Sequence, residues 1–380
     1  MTPVIDVLDA AEQLRPMLQE HATEIEAARR LPPEVLAAVR GAGCFRILLP
    51  ASYGGLGADL PAALSLYETL ARADASTAWT VLIGSAAWLD LVGLPKPSFD
   101  ALFTHEQGTI AAGVFNPTGS ITRDGDAYRV TGRWSFASGC EHATWLYVNC
   151  LEHTNGDEPQ FRIAVLTPDQ MTIEDTWHVA GLRGTGSHHI HVDDAVVPAE
   201  RTVVPFHDPP CINAPVTRLP IPAALALCIA GVALGIGQGA LDDVVTLAPT
   251  KTPLLAHGPL ATNPRFLDTI ARIDTELRAA RLLLQTAAAT TWAAATDRRT
   301  ATLDERGRLR AASAWIVERA EAAVDAAHRA AGGGAIYADH PLQRRLRDIQ
   351  TLRQHFLVRP DTFGAAGAVI AGGEPDVPVF

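Results

Sequence analysis

The sequence predicts an α+β protein, mostly α, with an N-terminal α-helical domain, a middle antiparallel β domain and a C-terminal four-helix bundle. Three observations carry this. Apolar residues recur at helical spacing through about the first hundred positions; from Gly108 to about Val204 the chain turns to Val, Ile, Thr and aromatic residues in short runs; and from Pro220 onward helical stripes return. The divisions fall at 1–106, 107–210 and 211–380.

Leu14, Leu18, Ile25 and Ala28 lie on one face of a first helix, and Pro32-Pro33 restarts a second that Gly41 and Gly43 end. After the turn-rich loop Tyr53–Gly57, a helical region runs from Leu60 to about Val92, where Asp74-Ala-Ser76 either interrupts it or caps its second half. Strands are expected at about 110–115, 127–138, 144–151, 161–166 and 188–197, with turns at Asn116-Pro117, Asp124–Asp126 and Asn155–Asp157. In the last third, Phe266, Ile270, Ile273, Leu277 and Leu284 mark one stripe and Leu309 to Ala327 another. Gly332–Gly334 stops that helix before a final one from Pro341 to about Leu357. The uncharged run Leu219–Leu241 is long enough to cross a bilayer. Its prolines, its alanines, and Gly231, Gly235 and Gly237 suit instead a helix packed closely by other helices.

A chain of 380 residues with 48% hydrophobic content can bury a large core. Its net charge of -11, with Lys and Arg scattered, gives no footprint for nucleic acid or an anionic membrane. The five cysteines (Cys44, Cys140, Cys150, Cys211, Cys228) form no CxxC pair and no regular spacing, and the N-terminus has neither a basic start nor a long apolar run. Both point to the cytoplasm.

The stretch Gly132–Trp145 combines aromatics, two serine hydroxyls and a glycine at a strand end, so Ser138-Gly139 taken alone reads as a turn. Gly181–Ser187 is a polar glycine-rich loop in which Arg183, Thr185 and Ser187 can bind a ligand, although no dinucleotide-binding pattern surrounds it. Gly332 and Gly333 allow close approach of backbone to a cofactor tail, or simply end a helix. His188, His189 and His191 invite a metal reading, but no carboxylate or cysteine at suitable spacing completes a ligand set, so no metal is expected.

The order of helices, β unit and bundle, with Glu68–Trp79, Gly132–Trp145, Gly181–Ser187 followed by Val196–Pro198, and Gly332–Tyr337 running into Arg347-Asp348 and His355, resembles the acyl-CoA dehydrogenase superfamily across nearly the whole chain. Within it the chain is more similar to the two-component flavin-dependent monooxygenases than to the dehydrogenases. The resemblance implies a flavin, FAD or FMN, between the β unit and the bundle, in a homotetramer whose neighbouring subunit completes the site. It implies that Ser138 faces flavin N5, that Phe136 covers the ring, and that Gly139, Arg183, Thr185, Ser187, Gly332 and Gly333 contribute to cofactor binding. The hydroxyl and nearby backbone N–H groups are then expected at the N5/C4 edge.

A thioester dehydrogenase needs a carboxylate base. By the resemblance that base belongs a few residues after Arg347-Asp348 or on the first bundle helix, yet 349–358 and Leu219–Leu241 contain no Asp or Glu. His355 stands beside the first vacancy, with an imidazole expected to titrate near neutrality. The expected activity is hydroxylation of a small, phenol-like substrate through a C4a-hydroperoxyflavin, from O2 and reduced flavin supplied by a separate reductase, with His355 activating the substrate and Ser138 stabilising the flavin. A dehydrogenase with its base elsewhere, an N-hydroxylating relative and a non-catalytic binding protein are the alternatives.

Overall fold

The computed structural model describes residues 4–103, 109–153, 158–205 and 207–375. The expected turn at 155–157 and the boundary at 106/107 lie wholly or partly outside them.

The N-terminal region holds α1 (Val4–Ala28), α2 (Pro33–Gly41), α3 (Leu60–Ala73), α4 (Ala75–Ala86) and α5 (Lys96–Phe103). Val7, Ala11, Leu18, Ala22 and Ile25 form the buried face of α1. Asp74 does interrupt the long helical region: it closes α3 in an extended conformation and caps α4, its carboxylate accepting from Thr77 N and Oγ1 at 2.7 and 2.8 Å. That cap sets the direction of α4, which carries Trp79.

The middle region is one sheet of β1 (Ala111–Asp124), β2 (Ala127–Trp134), β3 (Trp145–Glu152), β4 (Gln160–Leu166), β5 (Thr172–Glu174), β6 (His189–Pro198) and β7 (Thr202–Val203), in the order β5-β6-β2-β1-β3-β4-β7. It is mixed rather than purely antiparallel, because β1 and β3 pair in parallel. β1 also runs past the expected turn at Asn116-Pro117: a register shift between Val114 and Gly119 absorbs the proline as a bulge. β2 stops at Trp134 rather than 138. Phe136 takes φ +67° and Gly139 φ +73°, which turn the chain out of the sheet.

In the C-terminal region α6 (Ile221–Leu247), α7 (Pro264–Thr296), α8 (Leu303–Ala331) and α9 (Pro341–Leu352) form the expected bundle, and α10 (Thr362–Ile370), which the sequence reading did not foresee, packs on α8. The apolar run is inside the molecule: α6 is buried from Ala223 to Val244 among α3, α7, α8 and α9. Its glycines permit that approach, since a Cβ on Gly235 would lie 2.3 Å from the Glu68 carbonyl oxygen of α3. Arg345 of α9 ties the layers, pairing with Asp243 at 2.6 Å and donating to the Arg72 carbonyl at 3.0 Å.

The final bundle helix is shorter than expected. It ends at Leu352, and His355 lies in the turn beyond it. The N–H of Leu357, which a continuing helix would give to a backbone carbonyl, goes instead to His355 Nδ1 at 3.3 Å, and Pro360 follows without an N–H.

Candidate active site

Three segments meet where the sheet faces the bundle: the turn 136–140 after β2, the loop 181–188 before β6, and the start of α4. Ala137 N donates to His188 O and Gly139 N to Thr185 O, both at 3.0 Å, which fixes the turn on the loop. The loop in turn rests on α9. Leu182, at φ +51°, donates its N–H to Asp348 Oδ1 at 2.7 Å, and Gly181 lies directly on the Arg347 carbonyl.

Of the residues singled out in the sequence, Ser138, Thr185 and Ser187 come together as buried hydroxyls. Ser138 Oγ lies 2.7 Å from Ser187 Oγ, which lies 2.7 Å from Thr185 Oγ1, which donates to Leu182 O at 2.8 Å. Phe136 stands at their edge, 65% exposed, with Trp177 edge-on at 6.2 Å and 84°. The backbone N–H groups of Ala137, Ser138 and Gly139 are not available to a ligand as expected, because all three are taken by carbonyls within the chain. Arg183 turns away from the hydroxyls, its guanidinium 3.9 Å from Glu26 of α1. Gly332 and Gly333 lie at the exposed C-terminus of α8, where Gly332 at φ +68° ends the helix and a Cβ on either would meet nothing within 4 Å. Within this chain they do not join the cluster.

The histidine trio divides by position. His188 is a pin: its buried Nδ1 accepts from the backbone N–H groups of Thr176 and Trp177, both at 3.2 Å, and burial lowers its pKa. His189 and His191 face β5 from β6.

Trp79 was legible only as a helix residue, yet it joins the two halves of the site. Its Nε1–H donates to Ser138 Oγ at 3.2 Å, and its ring lies edge-on to the His355 imidazole at 5.6 Å and 63°. Beyond it runs an aromatic file. His355 stacks on Phe356 at 4.9 Å and 28°, and Phe356 on Phe115 at 5.9 Å and 17°. A buried indole N–H needs a partner, and this one lies 59 residues away, beyond any local pattern in the sequence.

His355 is half-buried, and desolvation together with the charge of Arg310 pushes its imidazole down to about 4, below the near-neutral value expected. It is therefore neutral at physiological pH. Because Nδ1 accepts from Leu357, the ring hydrogen sits on Nε2, which has no hydrogen-bond partner among the described residues. His355 presents a donor.

Asp348 is buried, and burial pushes its carboxyl up to about 7 against the opposing Leu182 hydrogen bond. From its ordinary 3.8 up to about 7 the folded protein binds a proton that the unfolded chain does not; the associated stability is present below 3.8 and lost as pH rises through about 7. Asp348→Asn keeps an acceptor for Leu182 and removes the ionisation. Its Tm relative to the parent is expected to rise as pH increases over that window and level off above it; a pH-independent difference would contradict the assignment.

A flavin requires a flat apolar surface for its ring and a polar group at its N5 edge. The exposed Phe136 beside Trp177, with Ser138 next to them, supplies both. The fold and these residues fit a flavin-dependent oxidoreductase. Two family models match the chain, the N-terminal domain of acyl-CoA dehydrogenase over residues 9–93 and its C-terminal domain over residues 227–360. The chain is 29% identical to indole-3-acetate monooxygenase from Pseudomonas putida, covering 93% of this chain and 90% of that protein. It is also 29% identical to the oxygenase component of FADH2-dependent resorcinol hydroxylase from Rhizobium sp. strain MTP-10005, covering 94% and 92%. Among solved structures, XiaF from Streptomyces sp. in complex with FADH2 and glycerol superposes with a TM-score of 0.91 at 26% identity, over 99% of this chain and 98% of that one. The chain belongs to the acyl-CoA dehydrogenase superfamily, within its flavin-dependent two-component monooxygenases. It binds a flavin and uses it in reduced form with O2 as a monooxygenase.

Proposed function

We propose that this enzyme hydroxylates a small aromatic, phenol-like substrate held between Ser138 and His355, as the oxygenase component served by a separate flavin reductase in the cytoplasm. The observation that carries the proposal is Trp79, which touches both groups at once: its N–H reaches Ser138 while its ring meets His355. The file His355, Phe356, Phe115 adds flat aromatic surface suited to a planar substrate. The aromatic substrates named for the two monooxygenase relatives support the same class.

The reduced flavin supplies the activation of O2. Ser138 would meet the flavin at its N5 edge, and Phe136 with Trp177 would lie against its ring. His355 would donate its Nε2–H to the substrate oxygen and so hold the aromatic ring in register for oxygen transfer. Overall, one atom of O2 enters the substrate C–H bond and the other leaves as water, with two electrons from the reduced flavin. No carboxylate stands where a thioester α-proton would be removed: 349–358 contains none, and Asp348 is engaged by Leu182 N–H. Gly332 and Gly333 would serve the flavin of a neighbouring subunit in a homotetramer, since in their own chain they sit apart from the hydroxyl cluster.

Incubating the purified protein with a flavin reductase, NADH and FAD or FMN, and offering a panel of phenols and indoles beside a panel of acyl-CoA thioesters, tests the reading. Hydroxylation of at least one aromatic is expected. Anaerobic bleaching of bound oxidised flavin by an acyl-CoA would replace it with a dehydrogenase.

A further inference from the structure

α4 runs straight on into a 3-10 turn, Ala87–Leu91, and from Ala75 to Leu91 every residue is buried except Ile83 and Asp90. Two turns of helix separate them, so they share a face, about 10 Å apart along the axis. Trp79, one turn before Ile83, heads the same face. A helix enclosed on all its other sides keeps such a face accessible only where it borders an opening in the interior. The wall across that opening comes from β1, where Ala111, Ala112 and Val114 are buried but Gly113 and Phe115, on the other face of the strand, are not. Phe115 leads through Phe356 to His355. Gly113 leads the other way: it is paired with Tyr147 of β3, whose ring would lie 2.1 Å from a Cβ at that position, and the Tyr147 hydroxyl donates to the Asp90 carboxylate. The opening therefore has His355 at one end and Asp90 at the other.

Asp90 has no cationic partner among the described residues, and Tyr147 fills one of its roughly four acceptor positions. Burial pushes its carboxyl up to about 6 against the opposing Tyr147 hydrogen bond, so it still carries its charge at neutral pH and above. A half-buried anion without a cation favours whatever positive group enters the opening and repels a second anion. We propose that Asp90 binds a positively charged amino group of the substrate, so that the aromatic this enzyme hydroxylates carries a short aminoalkyl arm rather than a carboxylate. This rests on the reading that an aromatic ring lies at His355. The ring then packs between Ile83 and Phe115, and the arm reaches along the helix face to the carboxylate, where an ammonium N–H finds a charge-assisted acceptor.

The test uses three phenols that share a ring and differ in the charge at the end of the para arm: tyramine, 4-ethylphenol and 4-hydroxyphenylacetate. For each, kcat/KM for hydroxylation is measured at pH 8 with the full-length protein, a flavin reductase, NADH and FAD, and Kd is measured by calorimetry without turnover. Tyramine is expected first, 4-ethylphenol second and 4-hydroxyphenylacetate last, with about a hundredfold between the outer two. Asp90→Asn keeps the shape and an acceptor for Tyr147 while removing the charge. It is expected to lower the tyramine to 4-ethylphenol ratio about tenfold, through KM, and to improve 4-hydroxyphenylacetate. A variant that weakens all three alike shows only a structural role and overturns the proposal. The order in the unaltered protein is decisive even if that variant does not fold, since a carboxylate bound as well as the amine also overturns it. Hydroxylation of all three without regard to charge sinks the role of Asp90 and leaves aromatic hydroxylation standing, whereas binding ordered by charge with no hydroxylation of any of them supports Asp90 and sinks the hydroxylation reading.

Discussion

His355→Ala is expected to leave oxygen consumption by the reduced flavin intact, while the share of that oxygen recovered in hydroxylated product falls about a hundredfold. The variant removes the Nε2–H donor and leaves Ser138, Phe136 and Trp177 untouched. The remaining oxygen should appear as hydrogen peroxide. His355→Gln separates two roles for the ring. An amide can still donate, so if His355 acts by donating to the substrate oxygen, Gln retains much of the coupling; if it acts as a base, Gln is as poor as Ala. The pH profile gives a second reading. With the imidazole held down at about 4, coupling in the parent enzyme should show no acid limb near the ordinary histidine value of 6.5. A limb at that value would mean that the ring titrates freely and that its burial against Trp79 and Phe356 is not as described.

Gly181→Ala is expected to have the largest effect on stability, because the loop that carries Thr185 and Ser187 has no room to move. A Cβ at this position falls 2.1 Å from the Arg347 carbonyl oxygen and 2.6 Å from Asp348 N. Backbone atoms of α9 cannot rotate aside as a flexible side chain would. The loop must lift, and it then loses the bond from Leu182 N to Asp348. A loss of about 3 kcal/mol in urea denaturation is expected, with flavin affinity falling about tenfold as Ser187 and Thr185 shift under Ser138. Gly367→Ala on α10 is the control: nothing lies within 4 Å of its Cβ, so stability should hold or rise slightly. Equal effects from the two changes would mean that the tight contact at Gly181 does not hold the loop.

The parts of this molecule that were legible in the sequence are those set by local chemistry. Apolar stripes gave the bundle helices, glycines within Leu219–Leu241 gave close packing, and Asp74 gave a cap, because each depends on neighbours within a turn or two. The sheet was less legible. Parallel pairing of β1 with β3 and the bulge that carries Pro117 depend on a strand contributed from elsewhere in the chain. α10 was missed since its Gly- and Ala-rich sequence has no polar face to show a period. The end of α9 was set by a side chain, His355, competing for one backbone N–H. Within the site, the sequence supplied Ser138, Thr185, Ser187 and His355 as candidates without any means of joining them. Trp79, Phe356 and Asp348 make those joins across the chain, and only their geometry says so.

The central claim is that this site delivers oxygen from O2 into an aromatic substrate held between Ser138 and His355. The most direct measurement is mass spectrometry of the product formed under 18O2 by the purified protein, with reduced flavin supplied by a reductase. One 18O atom in each new hydroxyl is the predicted result, with the label lost in parallel with product yield in His355→Ala. Unlabelled product, or complete recovery of the oxygen as peroxide across the aromatic panel, would contradict it.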